Sequence, residues 1–125
     1  MNAARRYAQT QNATASKERL MLLLFQTALR HIRGGIASLD EGRKAEAVTL
    51  LTKASDIVVE LNATLDHGQA PELCAQLSGL YLFTTNRLVR ASASGNAELA
   101  REAERAFAPI VEAFTGAVEK LGAGQ

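Results

Sequence analysis

The sequence predicts an all-α protein, an antiparallel, up-and-down four-helix bundle with a short mobile N-terminal leader. Three observations carry that expectation. Apolar residues recur every three to four positions along most of the chain, the spacing of one face of an amphipathic helix. Glycines punctuate the pattern at similar intervals, at Gly42, Gly68 and Gly95, with Pro71 just beyond the second break. No stretch of strand length alternates with period two, so no sheet is expected. Four helices joined by short loops pack as antiparallel neighbours.

The first helix should run from about Lys17 to Leu39, with Ser16 as its N-cap and Glu18 in the electropositive first turn. Its core line is Leu22, Phe25, Leu29, Ile32, Ile36 and Leu39. Gly34 and Gly35 sit inside it and cost roughly 1 kcal/mol each against alanine, a cost offset where they permit a close helix crossing. The second helix should run from about Lys44 to Leu65, on Ala47, Leu50, Leu51, Ala54, Ile57, Val58, Leu61 and Leu65. Pro71 suits the first turn of a third helix, where its missing N–H is no loss. That helix should reach Ser94, with Leu77, Leu80, Tyr81 and Leu88 facing inward. The fourth follows an Asn96 cap and uses Leu99, Ala103, Phe107, Ile110, Phe114, Val118 and Leu121, with a kink expected at Pro109. One domain results: a flexible leader over 1–15, a bundle over 16–121 and a disordered tail over 122–125. Tyr7 is the only large apolar group of the leader MNAARRYAQTQNATA.

Composition narrows the function. The chain has 125 residues, 47% of them hydrophobic and 22% charged, which is enough for one globular core. Its 14 basic and 13 acidic residues are spread along the chain and leave a formal net charge of +1. That is no electrostatic footprint for nucleic acid or for an anionic membrane. The longest apolar run, LMLLLF (Leu20–Phe25), is too short to span a bilayer, and it makes a poor signal peptide behind a polar leader. A cytoplasmic protein is the expectation.

A search for chemistry finds little. The bundle class can hold a carboxylate-bridged metal pair through inward-facing Glu and Glu-x-x-His. This chain has no Glu-x-x-His, and its core lines carry no carboxylate. His31 lies off the core line, where it reads as a solvated helix residue, and His67 reads as a turn residue in LDHGQAP. The single cysteine, Cys74, falls at the edge of the third helix's apolar arc and reads as a buried thiol. No phosphate loop or dinucleotide fingerprint appears. Neither catalysis, nor a metal, nor a cofactor is expected.

The outer surfaces are more informative. On a helical wheel the second helix has an apolar arc of roughly 200°, about twice the stripe that one core contact needs. Val48 and Val59 supply the extra width, with the small uncharged Ser55 and Asn62 between them. On the third helix Ala75, Ser78, Leu82, Thr85, Val89 and Ser92 form one line with no charge on it, while Arg87 and Arg90 lie to the other side. A helix in a bundle touches two neighbours, so a wide arc can be packing alone. Contiguous apolar surface can equally mark a partner site, and a groove between two such helices fits the anchors of an amphipathic segment. Periodicity leaves these two readings equal.

Four segments resemble the FliS-type flagellar secretion chaperones, from about Tyr7 to Leu121. YAQ (Tyr7–Gln9) is similar to the family's tyrosine-bearing leader. TASKERLMLLLFQTAL (Thr14–Leu29) is similar to the opening A-S-P-x-x-L-x-x-x-L-[YF]-D-G-x-[LI]. KASDIVVELNATLD (Lys53–Asp66) resembles K-A-x-x-I-[IV]-x-E-L-x-x-x-L-D and is the most specific of the four. LSGLYLFTTNRLVRAS (Leu77–Ser92) resembles L-x-x-L-Y-x-[YF]-x-x-x-x-L-x-x-A-[NS]. The chain departs from the pattern where Lys17 replaces proline, where Gln26-Thr27 replaces Asp-Gly, and where Ala70-Pro71 replaces a Gly-Gly pair. It also lacks the family's late tryptophan.

The resemblance implies a non-enzymatic, cofactor-free export chaperone. It would bind the disordered C-terminal segment of flagellin in apolar grooves and prevent polymerisation before type III flagellar secretion. The grooves it implies include the second and third helices, where the uncharged stripes supply the expected contact residues: Val48, Ser55, Val59 and Asn62 on the second helix, with Ser78, Leu82, Thr85 and Val89 on the third. The polar members would hydrogen-bond the client's unpaired backbone. Tyr7 would fold back as an autoinhibitory plug, and a co-chaperone or an export-gate component could use another face. The alternative from another class is a structural bundle that forms a homodimer through the same stripes.

Overall fold

The computed structural model describes residues 13–123, and the side chains of residues 17–122. Four helices follow in order: α1 (Ala13–Asp40), α2 (Lys44–Ala63), α3 (Pro71–Ser94) and α4 (Ala97–Ala123). No strand occurs among the described residues. Each helix packs on its neighbour in sequence, and α4 closes the ring against α1. The antiparallel order is visible in the pairs across two of the seams. Arg33 and Asp40 of α1 meet Glu104 and Arg101 of α4, at 2.7 and 2.5 Å. Lys44 at the start of α2 lies beside Gly95 at the end of α3. At the other end of that seam the Cys74 thiol donates to the Asp66 carbonyl at 3.3 Å.

The ends of the helices follow their residues closely. Gly42 and Gly95 take left-handed backbone, at φ 78° and 74°, where any side chain would be strained. The Gly95 amide donates to the Ala91 carbonyl at 2.8 Å and closes α3. Pro71 opens α3 in the first turn. The Asn96 side chain accepts from the Glu98 amide at 2.9 Å, so the expected cap of α4 is present. α4 passes through Pro109 without interruption and continues beyond Leu121 to Ala123.

α1 departs from expectation. It begins at Ala13, so Ser16 lies inside the helix rather than capping it, and no acid occupies the first turn. Lys17 explains the difference. A proline there would disfavour helix at the preceding residue, whereas lysine lets the helix propagate backward. The leader residues 1–12, with Tyr7, and the tail residues 124–125 lie outside the described residues.

The core runs along the bundle axis. Phe25, Ile32 and Ile36 of α1 meet Leu51, Val58 and Leu61 of α2, Tyr81 and Leu88 of α3, and Phe107 and Val111 of α4. Phe25, Phe107, Phe114 and Tyr81 form a chain of rings with centroids 4.8 to 6.4 Å apart. Two inward positions differ from the sequence reading of α3. Leu80 is 40% exposed, and Thr84 takes the fully buried place one turn on. Burial of a threonine is tolerated because its hydroxyl donates to the Leu80 carbonyl at 2.8 Å.

Candidate functional site

The α2–α3 seam is the region to which the two uncharged stripes belong. Ser55 of α2 and Val89 of α3 line one open cavity of about 230 Å³, and that orients both faces. At about 100° per residue, Val48, Val59 and Asn62 lie within about 40° of Ser55 around α2. Ser78, Leu82 and Thr85 fall equally close to Val89 around α3. By helical phase the two lines turn toward the same seam from opposite sides, and of the eight expected residues Ser55 and Val89 are the two that line the cavity itself.

Along this groove the expected residues divide by exposure. Val59 is 55% exposed, Leu82 61% and Val89 55%, and Val48 stands at 36%. These four apolar side chains remain uncovered although each borders the bundle. The polar members are less available than their sequence positions suggested. Ser55 is buried. The Thr85 hydroxyl already donates to the Tyr81 carbonyl at 2.9 Å. Ser78 and Asn62 are half-buried. Asn62 Oδ1 is shut off from solvent and makes no hydrogen bond within the chain. The exposed members of the two lines are thus apolar, and Asn62 Oδ1 is an unsatisfied acceptor on the same face of α2.

The cavity itself has distinct chemistry. Leu51 and Leu88 form an apolar floor, and Val89 makes one wall. Thr52, Ser55 and Ser92 add hydroxyls, and Asp56 contributes a carboxylate at the rim. Sequence reasoning had not singled out Thr52 or Asp56, because an exposed polar residue on a helix carries no periodic signal.

A second cavity was also missed. Between α3 and α4 lies an apolar hollow of about 410 Å³. Leu77 and Tyr81 line it from α3, and Phe25 reaches it from α1. Its α4 wall includes Pro109, Ala113 and Ala117, small residues four apart on one line, and Phe114. That spacing is the signal that could have found it, since missing side-chain bulk leaves a hollow. Burial first, and then the neighbouring Cys74, push the Tyr81 hydroxyl above its usual value, so the phenol stays neutral.

No group of three or more metal-ligating side chains occurs among the described residues. His31 titrates below its usual range, through burial first and then the Lys53 and Arg30 cations, with no nucleophile implicated. No described helix is long and apolar enough to cross a membrane.

Comparison with known proteins identifies the family. The family profile described as flagellar protein FliS matches residues 1–121. The chain is 28% identical over 120 residues to flagellar secretion chaperone FliSB of Pseudomonas aeruginosa, covering 93% of this chain and 95% of that protein. It is 27% identical over 113 residues to flagellar secretion chaperone FliS of Bacillus subtilis, covering 90% and 84% respectively. With a profile match across almost its whole length, the chain belongs to the FliS family of flagellar proteins.

Proposed function

We propose that this protein is a cytoplasmic flagellar secretion chaperone whose α2–α3 groove holds the C-terminal segment of flagellin before type III export. What supports this reading is the exposure of four apolar residues, Val48, Val59, Leu82 and Val89, of which Val89 lines the α2–α3 cavity and the other three share a helix face with Ser55 or Val89 by helical phase. The names of the relatives supply the process. Flagellin's terminal segments polymerise by burying apolar stripes, so an uncovered monomer is adhesive. A groove that covers the stripe holds the segment without folding it into a filament. Burying the exposed parts of Leu82, Val59 and Val89 contributes on the order of 1 kcal/mol each, which offsets the ordering cost of a disordered client. The leader, through Tyr7, acts as a tethered competitor for the same surface when no client is present.

Co-purification tests the proposal. The protein should retain full-length flagellin from its own organism and lose it when the flagellin C-terminal segment is deleted. Equal retention of the truncated flagellin would overturn the reading. The same exposed row also fits a homodimer, and light scattering separates the two. A tight dimer indifferent to the flagellin segment would favour that alternative.

A further inference from the structure

The groove between α2 and α3 is not uniformly apolar, and the carboxylate at its cavity makes no salt bridge among the described residues. Asp56 lies at the rim of the 230 Å³ cavity, above Leu51 and Leu88 and beside Val89. Three ion pairs bridge other seams of the bundle. Arg33 pairs with Glu104, Arg101 with Asp40, and Arg87 with Glu102. Across the groove from Asp56 the α3 line Ser78, Leu82, Thr85, Val89 and Ser92 carries no charge. Glu60, one turn further along α2, also makes no salt bridge. Lys53 on α2 and Arg90 on α3 likewise make no salt bridge among the described residues, but neither they nor Glu60 line the cavity, whose one charged lining residue is Asp56.

We infer that this cavity is a specificity pocket for a single lysine or arginine side chain of the bound segment. Such a side chain has an apolar stem and a cationic head, and the pocket presents the two matching surfaces in that order. The stem would lie on Leu88 and Val89. The head would reach the Asp56 carboxylate, with the Thr52 and Ser92 hydroxyls as further acceptors. An aliphatic client residue would fill the floor and leave the carboxylate unmatched. An acidic one would be repelled. The inference rests on the proposed chaperone reading and adds a chemical requirement to it: the client carries a basic residue in register with its apolar anchors.

Two measurements distinguish failure of this inference from failure of the reading beneath it. The first needs no client. Butylguanidinium and, as a neutral control, butanol are titrated into the isotope-labelled full chain, and amide shifts are followed by NMR. Butylguanidinium should shift Thr52, Ser55, Asp56, Val89 and Ser92 saturably, butanol much less, and Asp56→Asn should remove the difference. Equal shifts from the two compounds, or indifference to Asp56→Asn, would overturn the pocket. The second measures the flagellin C-terminal segment against wild type, Asp56→Asn and Asp56→Lys. Asp56 is exposed, so both variants should keep the wild-type melting temperature. Affinity should fall about three- to tenfold for Asp56→Asn, further for Asp56→Lys, and the loss should shrink in high salt. Unchanged affinity in both variants sinks the cationic pocket while leaving the chaperone reading intact. If the segment binds none of the three proteins, the chaperone reading fails, and the small-molecule titration alone decides the pocket.

Discussion

Gly35 of α1 lies so close to Leu51 of α2 that a Cβ built on the glycine would stand 2.7 Å from Leu51 Cγ. Leu51 is fully buried and cannot retreat cheaply. Its neighbour Gly34 meets only the far end of the Leu50 side chain, at 3.2 Å. The pair sets the approach of the two helices, and only one member is essential to it. Gly35→Ala should destabilise by about 1–2 kcal/mol, overpacking outweighing the gain in helix propensity. Gly34→Ala should be neutral or stabilise by up to about 1 kcal/mol. Urea denaturation of the two variants checks the contrast, and equal losses would contradict it.

Phe107 joins α4 to both α1 and α3. It is fully buried, with its ring 6.0 Å from Phe25 and 6.4 Å from Tyr81. Truncating it removes the packing of three helices at once. Phe107→Ala should cost about 3–5 kcal/mol, a large share of the ~5–15 kcal/mol typical of a domain. Thermal unfolding should show a melting temperature lowered by more than about 10 °C. A small shift would mean that the centre of the bundle repacks readily.

His31 supplies a pH test. Its folded pKa is depressed, by burial first and then by Lys53 and Arg30, so the unfolded chain binds the proton more readily. The stability it contributes is therefore present above the ordinary histidine value and lost as pH falls through the folded value. Stability should decline on the acid side of about pH 6.5, and His31→Gln should flatten that decline. Identical profiles for wild type and variant would show that other groups govern it.

How much of this was legible in the sequence differs by feature. The three later helices have local causes, such as Pro71, Gly95 and the Asn96 cap, and local causes survive in a sequence. The start of α1 was misplaced because a cap residue was weighed without the helix propagating past it. On α3 the wheel gave Leu80 and Thr84 nearby angles but not which would be covered. Helical phase fixes direction and leaves undetermined the bulk that faces it. The same limit applies to the groove. Its apolar rows were readable as phase, whereas burial of Ser55 and the hydroxyl–carboxylate pocket around Asp56 depend on how two helices meet. The α3–α4 hollow depends on bulk that Ala113 and Ala117 do not supply.

Tyr7 gives a prediction about regulation. If the leader competes for the groove, removing its one large apolar group should release the competitor. Tyr7→Ala should bind the flagellin segment several-fold more tightly than wild type, read by fluorescence anisotropy of the labelled segment. Unchanged or weakened binding would remove the leader from this role.

The groove itself is tested most directly by calorimetric titration of the flagellin C-terminal segment into wild type, Leu82→Asp and Gln26→Asp. Leu82 is exposed on the α3 face that it shares with Val89 by helical phase, and Gln26 is exposed on α1. Wild type and Gln26→Asp should bind alike. Leu82→Asp should bind at least about tenfold more weakly, ~1.4 kcal/mol, with its melting temperature unchanged. Equal affinity in all three proteins, or unfolding of Leu82→Asp, would contradict the account.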